Sequence, residues 1–305
     1  MYYLAAMTIT TNRHDAPPSL VDFAKAPHYD SGDSDFTVTQ LIDSPRISLL
    51  RKQHGDYIED DVYENIYRLV GTAIHSIAEK FGNNDILGTV AEERIFLEVD
   101  GLRISGAIDL QRPSPTGSGV IIGDYKFTSV SSIGFQDKWR DQLSLYAYLL
   151  EKVKGVRVEG AEVYAVLRDW QWRRAKFDRN YPQTPGVTVQ VDLLDRWERK
   201  EYFKERLSLH KIASQLFEED GRLIRCLPED RWEGEPAYAV RDDKNDKAAA
   251  EKGKKSRAVR VFRDEDDAKE LADTKPHYSI EYRPGEAVRC DNFCDVARFC
   301  DQRNS

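Results

Sequence analysis

Asp109 and the run Gly123-Asp124-Tyr125-Lys126 combine residue types and spacing that can do chemistry. In a strand, residues two apart point to one face, so Asp124 and Lys126 project together. The segment Pro113-Ser114-Pro115-Thr116-Gly117-Ser118-Gly119 lies between them and Asp109 and reads as a dense turn. Antiparallel partners have a nearly constant sum of residue numbers. A turn centred near Thr116 therefore sets Asp109 opposite Gly123, beside Asp124. Two carboxylates so close repel unless a divalent cation lies between them. Mg²⁺ takes one or two carboxylates plus waters and phosphate oxygens. A lysine beside it stabilises developing charge or helps deprotonate an attacking water. In outline this is an arrangement for phosphodiester hydrolysis. An exposed strand pair with ordinary ion pairs would carry the same triplet, so the neighbouring elements have to decide.

Those elements are readable from periodicity. Ile66, Leu69, Val70, Ala73, Ile74 and Ile77 recur at helical spacing, which predicts a helix over Asp61 to Phe81 holding His75. Three strands follow: Glu93 to Val99, ended by the hairpin signal Asp100-Gly101, then Leu102 to Leu110, then Val120 to Thr128. Asp137 to Val153 reads as a helix with Gln142 and Tyr146 four apart on one face. Ala161 to Leu167 reads as a strand, and Leu193 to Phe217 as a long charged helix. Before them, Phe36 to His54 has a short helical pattern broken at Ser44-Pro45. The order predicts an α/β or α+β fold with one mixed sheet flanked by helices. Residues 1–35, rich in Pro, Asp and Ser without period, read as a flexible lead, residues 36–225 as the core, and 226–305 as a C-terminal region. In that region strands are expected at Ala237 to Arg241, Arg257 to Phe262 and His277 to Tyr282, with a Lys-rich loop from Lys244 to Lys255 and a helix at Glu265 to Ala272.

Taken together, four pieces in order resemble the RecB-like branch of the PD-(D/E)XK nuclease superfamily: Gly71-x3-His75, Gly106-Ala107-Ile108-Asp109, Asp124-Tyr125-Lys126 and Gln142-x3-Tyr146. The resemblance runs from about Ser34 to Leu167 and implies a restriction-endonuclease-like core. By resemblance His75, Asp109 and Asp124 are metal ligands, with the backbone carbonyl of Tyr125 as a further one. Lys126 is then the catalytic lysine, and Gln142 and Tyr146 support it. The family often adds a Glu from the first strand; Glu93 is the candidate, with Glu92 as near.

The chain has four Cys, and three fall between Cys290 and Cys300. Such crowding suggests metal or cluster binding before disulfides. The resemblance implies a four-iron four-sulfur cluster, as in AddB-type and CRISPR-associated relatives, held by Cys226, Cys290, Cys294 and Cys300. Four thiolates suit Zn²⁺ equally well on count alone. Ser44 stands where those relatives place a Cys before Pro, and Cys290-x3-Cys294-x5-Cys300 departs from their usual spacing. The tail also resembles that of nucleases encoded by tailed bacteriophages.

Arg168, Trp170, Trp172, Arg173, Arg174 and Lys176 interleave cations with aromatic rings just past the fourth strand, a pattern that stacks bases and holds phosphates. A solvated hairpin would look the same. The Lys-rich loop offers only charge. With 305 residues, 40% hydrophobic and 32% charged, the chain is ordinary for a soluble globular protein. No apolar run reaches the roughly 20 residues of a membrane helix, and the start lacks a secretory pattern, so a cytoplasmic location is expected. A net charge of −8 excludes a histone-like coat for nucleic acid. These observations predict a Mg²⁺- or Mn²⁺-dependent deoxyribonuclease, an exonuclease by preference, acting on single-stranded DNA or duplex ends. A phage recombinase or single-strand-binding protein is the expected partner. A non-catalytic DNA-binding subunit and a spacer-processing or structure-specific endonuclease are the alternatives.

Overall fold

The computed structural model describes residues 9–26, 32–84, 86–134, 137–251, 253–254 and 256–304. The chain divides into two units, Met1–Ile224 and Arg225–Ser305. In the first, β1 (Ile9–Thr11), α1 (Pro18–Lys25), β2 (Phe36–Thr37), α2 (Val38–Leu41), α3 (Pro45–His54), β3 (Glu59–Asp61) and α4 (Ile66–Gly82) come first. Then follow β4 (Val90–Val99), β5 (Leu102–Pro113), β6 (Val120–Thr128), α5 (Asp137–Lys154), β7 (Val158–Leu167), α6 (Trp172–Phe177), β8 (Gly186–Val191) and α7 (Arg196–Asp220).

One six-stranded mixed sheet runs β2-β5-β6-β7-β8, with β4 also paired to β5. β4, β5 and β6 form an antiparallel meander, whereas β6 and β7 are parallel. The mixed sheet flanked by helices is the expected architecture. Asp100 and Gly101 both take positive φ, 51° and 75°, as a tight two-residue hairpin requires. That turn fixes the β4–β5 register. The β5–β6 ladder is short: it pairs Leu110–Pro113 with Gly123–Val120 and stops. Beyond that point the two strands part, and Asp109 and Asp124 sit at the fork.

Helices close both faces. Lys126 reaches Gln142 on α5, while its neighbour Phe127 stands against Tyr67 on α4. Consecutive strand residues point to opposite faces, so β6 is sandwiched between the two helices. The main core packs Leu143, Leu145, Leu149 and Leu150 of α5 and Phe203 and Leu207 of α7 against Ile104, Ile108, Ile122 and Val163 of the sheet. Burying each such side chain contributes about 1.5–3 kcal/mol. Gly106 lies under Tyr146; a Cβ there would come within 2.9 Å of the ring and 3.1 Å of Val38. Arg206 on α7 donates to the Leu41 and Asp43 carbonyls at the end of α2, which satisfies groups a helix end leaves open.

Residues 9–26, expected as part of a flexible lead, are built into the fold; residues 1–8 and 27–31 lie outside the described residues. β1 pairs in parallel with β3, and Ala16, Val62 and Leu69 form a small core with residues of α1. The buried Asp61 accepts from Arg13 N at 2.7 Å and from the Thr11 hydroxyl at 3.0 Å. Those bonds, the Arg13 N–H first, hold its carboxyl down at about 2. A strand whose partner lies far along the chain leaves no local period. Asp61 is used this way, so α4 begins at Ile66 and not at Asp61.

In the second unit, α8 (Pro228–Arg231), β9 (Ala237–Asp242), α9 (Asp243–Ala250), β10 (Arg260–Phe262), α10 (Glu265–Ala272), β11 (Tyr278–Arg283) and α11 (Val288–Asn292) surround an antiparallel sheet of order β10-β9-β11. The segment from Lys244, expected as a loop, is helical to Ala250. The Asp242 carboxylate caps that helix, accepting from Lys244 N and Asn245 N, as a helix N-terminus requires. Lys252 and Lys255 lie outside the described residues. Among the described residues, no helix is long and apolar enough to cross a membrane.

Candidate active site

The fork between β5 and β6 builds the site. Asp109, at the edge of the ladder, turns its Oδ2 to accept the Tyr125 N–H at 2.7 Å, a donor the parted strand no longer takes. From α4, His75 Nδ1 lies 3.4 Å from Asp109 Oδ2 and 3.1 Å from Glu92 Oε1. The ligating atoms of His75, Glu92 and Asp109 all fall within 4.8 Å of one another. From β6 and α5 comes a second set. Lys126 Nζ is 2.7 Å from Asp124 Oδ2 and donates to Gln142 Oε1 at 3.2 Å. The Gln142 amide donates to Asp124 Oδ1 at 3.2 Å and to the Tyr146 hydroxyl oxygen at 3.1 Å. Thus the structure gathers His75, Asp109, Asp124, Lys126, Gln142 and Tyr146 at one place. The Tyr125 side chain leaves the site: its ring stands 5.3 Å from that of Tyr164.

Glu93 does not join them. Its carboxylate is taken by Lys154 Nζ at 2.5 Å and by the Gln111 amide at 2.8 Å. Glu92 takes its place. The β4–β5 register pairs positions whose numbers add to 201, so Glu92 stands across from Asp109. Glu92 also has φ of 50°, rare for a side chain larger than Gly. That residue turns the edge strand over: Ala91 meets Gly82 on α4, while Glu93, two residues on, meets Lys154 on α5. Strained backbone of this kind costs about 1–3 kcal/mol, and here it aims a carboxylate at His75.

Electrostatics follow from this crowding. Burial, reinforced by the Asp124 charge, pushes the Asp109 carboxyl up to about 7. The hydrogen bond to Glu92 raises His75 above its ordinary value against the pull of burial. Burial opposes the Lys126 charge, but Asp124 and Asp109 outweigh it and raise its pKa. The arrangement stores negative charge that it does not neutralise. Asp124 Oδ2 is fully buried and faces the Lys126 ammonium at 2.7 Å. The N,O donor set of His75, Glu92 and Asp109, with a second buried carboxylate beside it, fits a divalent cation. His75, Glu92 and Asp109 would hold such an ion, with carboxylate oxygens as the hard ligands Mg²⁺ prefers.

The basic-aromatic segment divides. Trp170 donates its ring N–H to the Pro182 carbonyl at 2.7 Å and packs on the core; it is a structural ring and not a free stacking surface. Arg174 lies over the buried Tyr181 ring. Trp172 is exposed on the short α6, with Lys176 over its ring, and Arg168 and Arg173 are exposed. Arg168 leans on Tyr67 of α4, at 4.4 Å from the ring centre, a partnership that no periodicity in the chain marks.

The four Cys, all in the second unit, are half-buried. Gln302 clamps the backbone of Cys226 through Cys226 N and O, tying it to the turn that follows Cys300. Burial raises the Cys294 thiol. Among the described residues, no three of the sulfurs lie within 4.8 Å of one another.

The sequence model of the PD-(D/E)XK nuclease superfamily matches residues 87–301, a span that includes Glu92, Asp109, Asp124, Lys126, Gln142 and Tyr146. Among solved structures, one described as the crystal structure of SSO0001 is similar: it is 15% identical, with a TM-score of 0.42, over 62% of this chain and 83% of its own. No curated protein matches the chain.

Proposed function

The chain belongs to the PD-(D/E)XK nuclease superfamily, and from that premise we propose that it hydrolyses DNA phosphodiester bonds with Mg²⁺ or Mn²⁺. The observation that carries this reading is the fork at Asp109 and Asp124, where the buried Asp124–Lys126 pair at 2.7 Å stands beside the His75–Glu92–Asp109 donor set. His75, Glu92 and Asp109 would hold the cation, with Asp124 next to it. When bound, the cation would offset phosphate charge and lower the pKa of an attacking water. The chain's own groups do the rest. Lys126, kept charged by Asp124 at 2.7 Å, faces the phosphate as an ammonium and stabilises the charge that builds on its oxygens. Gln142 holds both members of that pair and is itself held by Tyr146. The Tyr125 N–H fixes the Asp109 carboxylate.

The finer reading places the protein in the RecB/AddB-like branch as an exonuclease of phage type. The order of the four motifs along the chain supports it, as does the Cys-rich tail, for which a four-iron four-sulfur cluster on Cys226, Cys290, Cys294 and Cys300 is the proposed cofactor. A recombinase or single-strand-binding protein would be its partner. Digestion of linear and covalently closed DNA in Mg²⁺, Mn²⁺ or EDTA tests the reading. Metal-dependent loss of the linear form alone is expected. Cleavage of the closed circle at a similar rate would reject the exonuclease, and binding without cleavage in every metal would leave a non-catalytic DNA-binding subunit.

A further inference from the structure

We propose that Tyr67, stacked under the Arg168 guanidinium, is the platform for an unpaired base on the strand that leads to the scissile phosphate, and that the strand passes between them across Gly71; this rests on the nuclease reading above. Two separate segments place the platform beside the site. On α4, Tyr67, Gly71 and His75 are spaced by four, so they line one face, and Tyr67 stands about 12 Å along the axis from His75. On the sheet, Phe127 points to the face opposite Lys126, the α4 side that also carries His75, and its ring centre is 6.2 Å from that of Tyr67. Arg168 N donates to the Thr128 carbonyl at 2.9 Å, which locks the end of β7 to the end of β6. Arg168 covers one side of the Tyr67 ring, while the Phe127 ring is inclined to it at 41° and does not layer on it.

The stack is open. The Tyr67 residue is 55% exposed, and Arg168 lies 4.4 Å from its ring centre. An aromatic face accepts any base by stacking, and an arginine adds cation–π attraction and a phosphate contact. Bases inside a duplex already have both faces covered, so the ligand is a single strand or a frayed end. Gly71 explains the route. Glycine inside a helix costs about 1 kcal/mol relative to Ala. Yet no atom lies within 4 Å of where its Cβ would stand, so packing within the chain does not demand it. A path for the strand between platform and metal ligands does.

The test uses the full-length protein. Steady-state cleavage of a single-stranded oligonucleotide and of a blunt hairpin in Mn²⁺ is compared with binding of the labelled oligonucleotide in EDTA. Stacking worth about 1–3 kcal/mol per base predicts that Tyr67→Ala raises KM and Kd for the single strand about tenfold, with kcat changed less than about threefold. Tyr67→Trp should restore both. Gly71→Ala should raise the melting temperature while weakening single-strand binding, a pairing that a purely structural glycine cannot produce. Unchanged single-strand KM and Kd in Tyr67→Ala, with cleavage intact, overturns the platform. If no metal supports cleavage but binding still depends on Tyr67 and Gly71, the nuclease reading falls and the platform stands.

Discussion

Asp109→Asn should make the metal-free protein more stable while destroying its activity. The Asp109 carboxyl, ordinarily at 3.8, is pushed up to about 7 by burial and by Asp124. An acid with a raised folded pKa weakens the fold above its unfolded pKa, and the loss is complete once pH passes the folded value. At about 1.4 kcal/mol per pKa unit, the ionised group destabilises the fold by several kcal/mol at pH 8 and by less at pH 5. Asparagine keeps an oxygen for the Tyr125 N–H and removes the charge, but its amide must find new partners. A net gain of about 2 kcal/mol at pH 8 is expected, a rise of about 4–8 °C for a unit of this size. The assay is thermal unfolding in EDTA at pH 8 and pH 5, then at pH 8 with Mn²⁺. In EDTA the gap should narrow on acidification, because only the wild type protonates here. In Mn²⁺ it should close or reverse, because saturating metal adds about 3 kcal/mol at a hundredfold excess over Kd to a protein with its full ligand set. A variant less stable than wild type in EDTA at pH 8, or a gap indifferent to pH, would refute the account of stored repulsion.

Glu92→Gln should lower Mn²⁺ affinity and cleavage by at least tenfold, whereas Glu93→Gln, which loses only its Lys154 and Gln111 contacts, should change neither by more than about twofold; equal effects would reject the assignment. Metal binding at pH 7 should release protons, since His75 and Asp109 are both held above their ordinary values and ligands bind metal deprotonated. Titration calorimetry in buffers of different ionisation enthalpy measures this, and affinity should be higher at pH 8 than at pH 6. Burial, helped by Arg206, holds His210 down at about 4. The stability this gives is present above about pH 6.5 and is lost as pH falls towards 4, by about 3 kcal/mol at most. Urea unfolding should therefore show a steeper acid loss for wild type than for His210→Phe, and parallel slopes would contradict it. Gly106→Ala should cost about 2 kcal/mol and weaken cleavage as well, because the new methyl displaces Tyr146; chemical denaturation and a turnover assay together read both.

Much of the site is legible in the chain because hairpins convert residue number into position. The turn near Thr116 brings Asp109 beside Asp124 from residue numbers alone, although the ladder pairs Gly123 with Leu110, one residue from the expected partner Asp109. The same arithmetic applied to Asp100-Gly101 pairs residue 109 with residue 92 and names Glu92; the expectation of Glu93 neglects that register. The left-handed Glu92 backbone, which decides the outcome, leaves no mark in periodicity. Helices α5 and α7 are readable from their apolar stripes. The parallel pairing of β1 with β3 and the Tyr67–Arg168 stack are not, since each depends on partners that only the folded chain brings together; the Asp242 cap is local, and an Asp before Lys244 and Asn245 is a helix-start signal that the loop expectation passed over. Trp170 shows the converse: its spacing suggests a stacking ring, but the fold uses its N–H to hold the Pro182 carbonyl.

The central claim is that the fork at Asp109 and Asp124, with Lys126, hydrolyses phosphodiester bonds. The most direct measurement is single-turnover cleavage of an end-labelled single-stranded oligonucleotide in Mn²⁺ by wild type and by Lys126→Ala, with EDTA as the blank. The account predicts a cleaved product only with metal, and a rate at least about a hundredfold lower in the variant, as expected when a group that stabilises transition-state charge is lost. Cleavage that survives EDTA, or that Lys126→Ala leaves unchanged, would contradict it.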